Sequence, residues 1–360
     1  MLTRLFTLTI IVCCCVVLVP VAARSDDTAQ LQQDVNAALA SHVPVTFAAR
    51  QYHLSSTIKF APPPGQGRLE GLAVHGAGAG LTKIVWDGPA NQSVFSFTKA
   101  NFGNIDGFMV TGGAALADLD FAGGGSSAGM QLSSIVTDNK ARYSFRFGNP
   151  QDLTQVSEYS MRSVFTYNAG VAGFIIEGNN NLNFNFYNCY CSHEPSCVSN
   201  DPRPDGASQT GGNFNWFGGG ASDTPPGNSI PNSATFYLTG VGNYNFVGVR
   251  VEDSGTLIGT SPSTVPMVVN WIGGQYANAK EANRGAKIID FQSGGSFQST
   301  HSLWQADGKF AFAPSIQAAS FDDDILRVGS GPNKSRDLNS CFADNPAGAA
   351  SKIRKNIHTY

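Results

Sequence analysis

Between Ser25 and Trp86 the hydrophobic period of the chain changes once, and from there on short strands follow one another. Leu31, Val35 and Leu39 recur at four-residue spacing with Ala38 beside them, which predicts a short amphipathic helix. Asp27 and Gln30, three residues apart, have the form of a capping box at its start. Around Pro44 the period drops to two. Val43, Val45 and Phe47 share one face, followed by Tyr52 and Leu54, then Ile58 and Phe60. One helix leading into such a succession is how a β-solenoid begins, because its first coil would otherwise expose core and unpaired backbone.

From about Leu69 to Gln305 no helical period returns, and short apolar runs alternate with Gly, Asn, Ser and Asp clusters. Phe174–Cys191 matches Phe236–Val251 in order: strand, Gly-Asn turn, strand. Phe145–Asn168 is a looser echo and Ile288–Ser302 looser still. Repeats of a unit that cannot bury its own face imply stacking. A β-sandwich, which has strands of similar length but no such echo, is the rival architecture.

Arg4 precedes an apolar run from Leu5 to Val21, and Val21-Ala22-Ala23 offers small residues for cleavage after Ala23, the pattern of a secretory signal peptide. A membrane anchor is the competing reading of that run. Without Arg4 the net charge of -3 becomes about -4, which gives no electrostatic case for nucleic acid. No second apolar run is long enough to cross a bilayer, so a secreted, soluble mature chain is expected. With 40 Gly among 360 residues and only 14% charged residues, the composition suits tight turns and uncharged polar ladders. The expected organisation is a leader over 1–23, a cap and first strands over 24–68, coils over 69–310 with an insertion near 192–230, and a C-terminal cap with a mobile tail over 311–360.

The helix, the segment VTFAARQYHLSSTIKF and the following VHGAGAGLTKIVW resemble the start of secreted parallel β-helix proteins of the pectate-lyase-like superfamily. In that family a proline-glycine-tyrosine stretch usually sits where this chain has Ala48-Ala49-Arg50-Gln51-Tyr52. The resemblance implies an all-β, right-handed, single-stranded parallel β-helix with an N-terminal capping helix. It also implies a polysaccharide ligand and, in lyases, frequent use of calcium held by acidic residues.

Several motifs carry less than they first suggest. The dinucleotide pattern fails at Leu81 after His75-Gly76-Ala77-Gly78-Ala79-Gly80, and no helix follows, so this is a turn between coils. Gly125-Ser126-Ser127-Ala128-Gly129 fits the nucleophile-elbow string but lies in a Gly/Ser loop without a helix. Asp118 and Asp120 are spaced to share a strand face, beside a Gly-rich loop that favours a turn or surface role. Lys140, Arg142 and Arg146 form a small basic group that suits an acidic glycan. Asn179–Asn181, Asn183 and Asn188 read as turn ladders.

Alignment of the two echoing segments places Cys189 and Cys191 where Val249 and Val251 stand, hence inward. A disulfide involving Cys197 suits an exported chain, with connectivity open. Tyr190 and Arg250 then face out, as do Ser192 and Glu252, with His193 and Asp253 at the strand ends. The insertion after Ser192 carries Glu194, Asp201, Arg203 and Asp205. A charged, aromatic strand face beside a long loop is how a solenoid builds a groove for an extended ligand.

Two chemistries fit a glycan there. Elimination needs a cation for the enolate-like charge and a base: Arg250, with His193 or Tyr190. Hydrolysis needs two carboxyls, about 5–5.5 Å apart for retention or about 6.5–9.5 Å for inversion, drawn from Glu252, Asp253, Glu194 and Asp201. Glu194, Asp201, Arg203 and Arg146 are the candidate substrate contacts. The same carboxylates suit calcium. A non-catalytic glycan-binding or structural solenoid is the alternative.

Overall fold

A computed structural model describes residues 25–122, 125–149, 155–177, 182–200, 212–225, 234–277, 287–305, 308–327, 341–342 and 344–359. The proposed leader, Asn179–Asn181, and Asp201, Arg203 and Asp205 lie outside these residues.

Among the described residues every strand pairing is parallel, and strands inside the stack pair with their counterparts in the coils before and after them. Three strands make a coil: the run Tyr159–Arg162, Phe165–Tyr167 and Ala172–Ile176 is representative. First- and second-position strands belong to one 22-stranded sheet, and third-position strands form a separate ten-stranded sheet. This is the parallel β-solenoid expected from the sequence, and the all-parallel pairing excludes the sandwich. A four-stranded ribbon (Leu69–Glu70, Ala100–Asn101, Ser127–Ala128, Val156–Ser157) closes the corner between the third strand and the next coil.

The corners recur in register because the bend between first and second strands needs a left-handed residue. Ser163, Asn188, Gly218, Gly248, Gly273 and His301 occupy it in successive coils, all with positive φ. Asn and Gly tolerate that conformation best. Between corners, alternate side chains enter the core. Phe60, Phe97, Phe121 and Phe147 stack one above another at ring-centroid distances of 4.7, 4.6 and 5.4 Å. Each such pair adds about 0.5–1.5 kcal/mol beyond simple burial.

The helix Thr28–Ser41 buries Leu31, Val35 and Leu39 against the first coil, with Ala38 packed beside the core, as its spacing predicts. Its N-terminus corrects the expected capping box, since Asp27 makes no cap bond. Its carboxylate instead accepts the His53 backbone N–H and pairs with Arg50, both at 2.9 Å, tying the helix to the coil. Val43, expected inward with Val45 and Phe47, is exposed because the strand begins only at Val45.

Two expected boundaries also move. Ser196–Ser199, Asn213–Phe217 and Gly220–Ser222 are coil strands, so what was read as one insertion near 192–230 is interrupted by regular stack. Past residue 310 the coils continue: Ile316–Arg327 pairs with the preceding coil and Ile353–Thr359 pairs with Ile316–Arg327. The last strand thus lies where a mobile tail was expected.

Candidate functional site

Around the corner after Asn188 the coils are 30 residues apart, and their outer side chains line up in straight rows. On first-position strands the rows are Asn183–Asn213–Asn243, Asn185–Asn215–Asn245–Asn270 and Tyr187–Phe217–Val247–Ile272. On second-position strands they are Tyr190–Gly220–Arg250–Gln275 and Ser192–Ser222–Glu252–Ala277. The left-handed turn that follows carries His193, Asp223 and Asp253, one per coil.

The asparagine rows are hydrogen-bonded ladders. Asn215 donates to Asn185 at 2.9 Å, Asn245 to Asn215 at 2.8 Å and Asn270 to Asn245 at 2.7 Å. The outer row links Asn213 to Asn183 and Asn243 to Asn213 at 3.2 and 3.4 Å. The Asn183 ladder was expected; its neighbour through Asn185 was not.

Along the edge of the ladders runs an aromatic row absent from the sequence-based site. Tyr187 and Phe217 stack with centroids 5.3 Å apart and planes 13° from parallel, and the Arg162 guanidinium lies 5.1 Å from the Tyr187 centroid. Phe217 is 37% exposed, so this stack is a platform open to solvent. Tyr190 and the partly buried Tyr167 continue it around the corner. Burial, with Tyr190 and Asp138 nearby, raises the Tyr167 phenol above its usual range.

The predicted outward residues are brought together only in part. Tyr190 and Arg250 do share a row, two strand spacings or about 9.6 Å apart, with Gly220 between them. A Cβ at Gly220 would meet the Arg250 carbonyl oxygen at 1.7 Å, so the row has a notch at this coil. The Arg250 guanidinium is ion-paired with Glu252. His193 lies 3.8 Å from Asp223 and accepts or donates at 2.7 Å to the Ser192 hydroxyl. Asp253 occupies the equivalent turn one coil beyond Asp223. Ser192, read as outward, is buried and bonded to Ser222 at 2.9 Å, because the strand closes into the turn there.

Two substrate-contact assignments are corrected. Glu194 is only 1% exposed: it turns inward and accepts the Thr166 hydroxyl at 3.1 Å. Desolvation holds its carboxyl well above the ordinary range, partly offset by Thr166 and by the backbone of Ala169 and Gly173. Arg146 is enclosed by Glu177 at 2.9 Å and Asp120 at 3.8 Å, so its charge is neutralised within the fold. Asp118 and Asp120 do not act as a surface pair. Asp120 meets Ser93 and Arg146, whereas Asp118 is fully buried against Asn139 at 2.6 Å, where desolvation pushes its pKa up to about 8. Ser127, of the elbow-like string, is likewise buried and bonded to Ala100 and Tyr159.

The two cysteines assigned inward are buried, and Cys191 forms a disulfide with Cys197; Cys341 is buried as well. Among the described residues no three His, Cys, Asp or Glu side chains converge as a metal site. No helix among them is long and apolar enough to cross a membrane.

No protein-family model and no curated protein sequence matches the chain. Solved structures with a similar backbone path include the catalytic domain of a GH87 α-1,3-glucanase in complex with tetrasaccharides, at 11% identity over 94% of this chain and 68% of that one, TM-score 0.49. A PL6 family polysaccharide lyase from Pseudopedobacter saltans aligns at 10% identity over 91% of both chains, TM-score 0.41. The A-module of an Azotobacter vinelandii mannuronan C-5 epimerase aligns at 12% identity over 93% of this chain and 96% of that one, TM-score 0.38. Each likeness concerns the parallel β-helix fold and transfers no residue role.

Proposed function

We propose that the protein is an exported polysaccharide-recognition solenoid whose ligand lies along the stack, over the Tyr187–Phe217 platform and the asparagine ladders beside it. The observation that carries this reading is the exposed aromatic stack running parallel to ladders of amide groups. Aromatic faces pack against the apolar faces of sugar rings, and amides bond their hydroxyls. Strands are about 4.8 Å apart, a spacing of the order of one sugar unit, so successive coils present the same groups to successive units. Arg250 and Tyr190 extend the surface around the corner toward uronate or neutral sugars.

Cleavage of the bound chain is the second reading. What favours it is the turn edge that gathers His193, Asp223 and Asp253 beside the Arg250–Glu252 pair, a set able to supply acid, base and charge stabilisation. The purified protein should be titrated into uronate-containing and neutral polysaccharides, with ultraviolet absorbance for unsaturated products and a reducing-end assay in parallel. Binding that Phe217→Ala and Tyr187→Ala both weaken supports recognition; no binding to any polysaccharide refutes it. Product formation abolished by Asp223→Asn or His193→Ala supports cleavage, whereas binding without products leaves recognition alone.

A further inference from the structure

Among the described residues the most exposed large apolar side chain is Phe102, at 67%. Its backbone is left-handed, with φ at +53°, and it is the one apolar side chain among the described non-glycine residues with positive φ. The others are Asn, Asp, Ser, His, Lys and Glu. A left-handed backbone crowds any Cβ, and an aromatic ring left in water gains no burial to offset that cost. The same corner carries Gly71 in the coil before and Gly129 in the coil after, both at φ +69°. Glycine therefore suits this position, and packing gives no reason for the ring. Strain kept at one exposed position, where neighbouring coils avoid it, points to a functional role.

Register places the ring on the recognition face. Glu70, Asn101, Ala128 and Ser157 are successive partners, so Gly71, Phe102, Gly129 and Glu158 follow in one row. Glu158 and Asn183 precede the paired residues Tyr159 and Phe184, so that row runs straight into the outer ladder, Asn183–Asn213–Asn243. Phe102 leans along the stack toward the ladder, and a Cβ on Gly129 would stand 2.6 Å from its ring, so glycine there makes room for it. The backbone beneath is braced. The Phe102 N–H donates to Ala128 at 2.9 Å, and the Asn101 amide bonds the backbone of Lys99 and Ala128, both at 3.0 Å.

Tyr187 stands three coils further on and four residues along its strand from Asn183, which puts it about 20 Å from Phe102 across the face. Inside that span the inner row continues as Ser160 and Gln131, a hydroxyl and an amide that extend the Asn185 ladder toward Phe102. We infer that Phe102 is a distal aromatic subsite for the same polysaccharide. The chain crosses obliquely from the Tyr187–Phe217 platform over Asn185, Ser160 and Gln131, and stacks a further sugar ring on Phe102. At about 4.8 Å per unit, the span holds about four sugar units between the two aromatic anchors. The face therefore selects extended chains over short oligomers. This inference rests on the glycan-recognition reading and goes beyond it in the length and path of the ligand.

The test titrates size-fractionated oligosaccharides from α-glucan, β-glucan and polygalacturonate into the full chain by calorimetry, and into Phe102→Ala, Phe102→Gly, Phe102→Tyr and Phe217→Ala. With oligomers of about eight units, Phe102→Ala and Phe102→Gly should each weaken binding about three- to tenfold, and Phe102→Tyr should keep it. With oligomers of about two units, which cannot span the face, only Phe217→Ala should weaken binding. Phe102→Gly should also raise the denaturation midpoint, since it removes the crowded Cβ. Long-oligomer binding that Phe217→Ala weakens and the Phe102 variants leave unchanged overturns the subsite and spares the platform; absence of any binding overturns both. A less stable Phe102→Gly protein with unaltered binding makes the ring structural, and a changed oligomeric state with unaltered binding makes it a contact between copies. Either result overturns the inference.

Discussion

Removing the Cys191–Cys197 crosslink gives a sharp test of how the corner is held, because the loop it closes is short and its contribution is calculable. The bonded residues are six apart in sequence. Loop-closure entropy for that length gives about 2 kcal/mol, which is a roughly 30-fold change in a local opening equilibrium. In a solenoid each coil contacts only its neighbours, so the effect should stay near its source rather than lower one global midpoint. The informative amides are those of Ser196 and Cys197, which donate to Val171 and Thr235 at 3.1 and 2.9 Å. In Cys191→Ala/Cys197→Ala they should exchange about 30-fold faster with hydrogen–deuterium exchange as the readout. Amides of the distant ladder between strands Ser293–Thr300 and Ile316–Arg327 should be unchanged. Exchange altered less than about threefold at Ser196 and Cys197 would refute the entropic reasoning. An equal rise along the whole chain would refute the nearest-neighbour picture.

Other predictions concern the outer face and the cap. Phe217→Ala or Tyr187→Ala should reduce affinity for a bound polysaccharide roughly three- to tenfold by calorimetry, while leaving the denaturation midpoint near that of the parent. Asn245→Ala deletes two ladder bonds, to Asn215 and Asn270, and should cost about 1–3 kcal/mol in chemical denaturation; a neutral result would show that water replaces the ladder. The Asp26 carboxylate accepts the hydroxyls of Ser55 and Thr28, both at 2.6 Å, which lowers its pKa to about 2. Its contribution to docking the helix is therefore present above about pH 4 and lost as the pH falls toward 2. Limited proteolysis of the helix at pH 2.5 and pH 5 should show that difference, and Asp26→Asn should erase it.

The fold was legible because its two strongest signals are local. A four-residue apolar spacing predicted the cap, and period-two alternation with turn residues predicted the strands. The pairing of Cys189 with Val249 also assigned the inward side correctly, though it compared coils two repeats apart. The intervening coil, Asn213–Ser222, went unrecognised, and with it the 30-residue period visible in Asn183-Phe184-Asn185, Asn213-Phe214-Asn215 and Asn243-Tyr244-Asn245. That period would have exposed Phe217 above Tyr187 and Asp223 between His193 and Asp253. Glu194 was harder. A charged residue in a Pro-containing run reads as solvent-facing, and only three-dimensional stacking brings it over Thr166 and Gly173 of the preceding coil. The Arg146 assignment failed for the same reason, since Glu177 lies 31 residues away and pairs only through coil register.

The last strand, Ile353–Thr359, pairs on one side with Ile316–Arg327, and among the described residues no strand covers its other side. Such an edge invites a second molecule to add its own strand and start a fibre. Arg354 and Lys355 stand on it exposed, with Lys352 just before it, and Lys355 also lies over the Phe342 ring. Like charges brought face to face repel, so two copies meeting end to end are held apart before their backbones can pair. Lys352, Arg354 and Lys355 therefore set positive charge along the last described strand, while the first coil is covered by a helix.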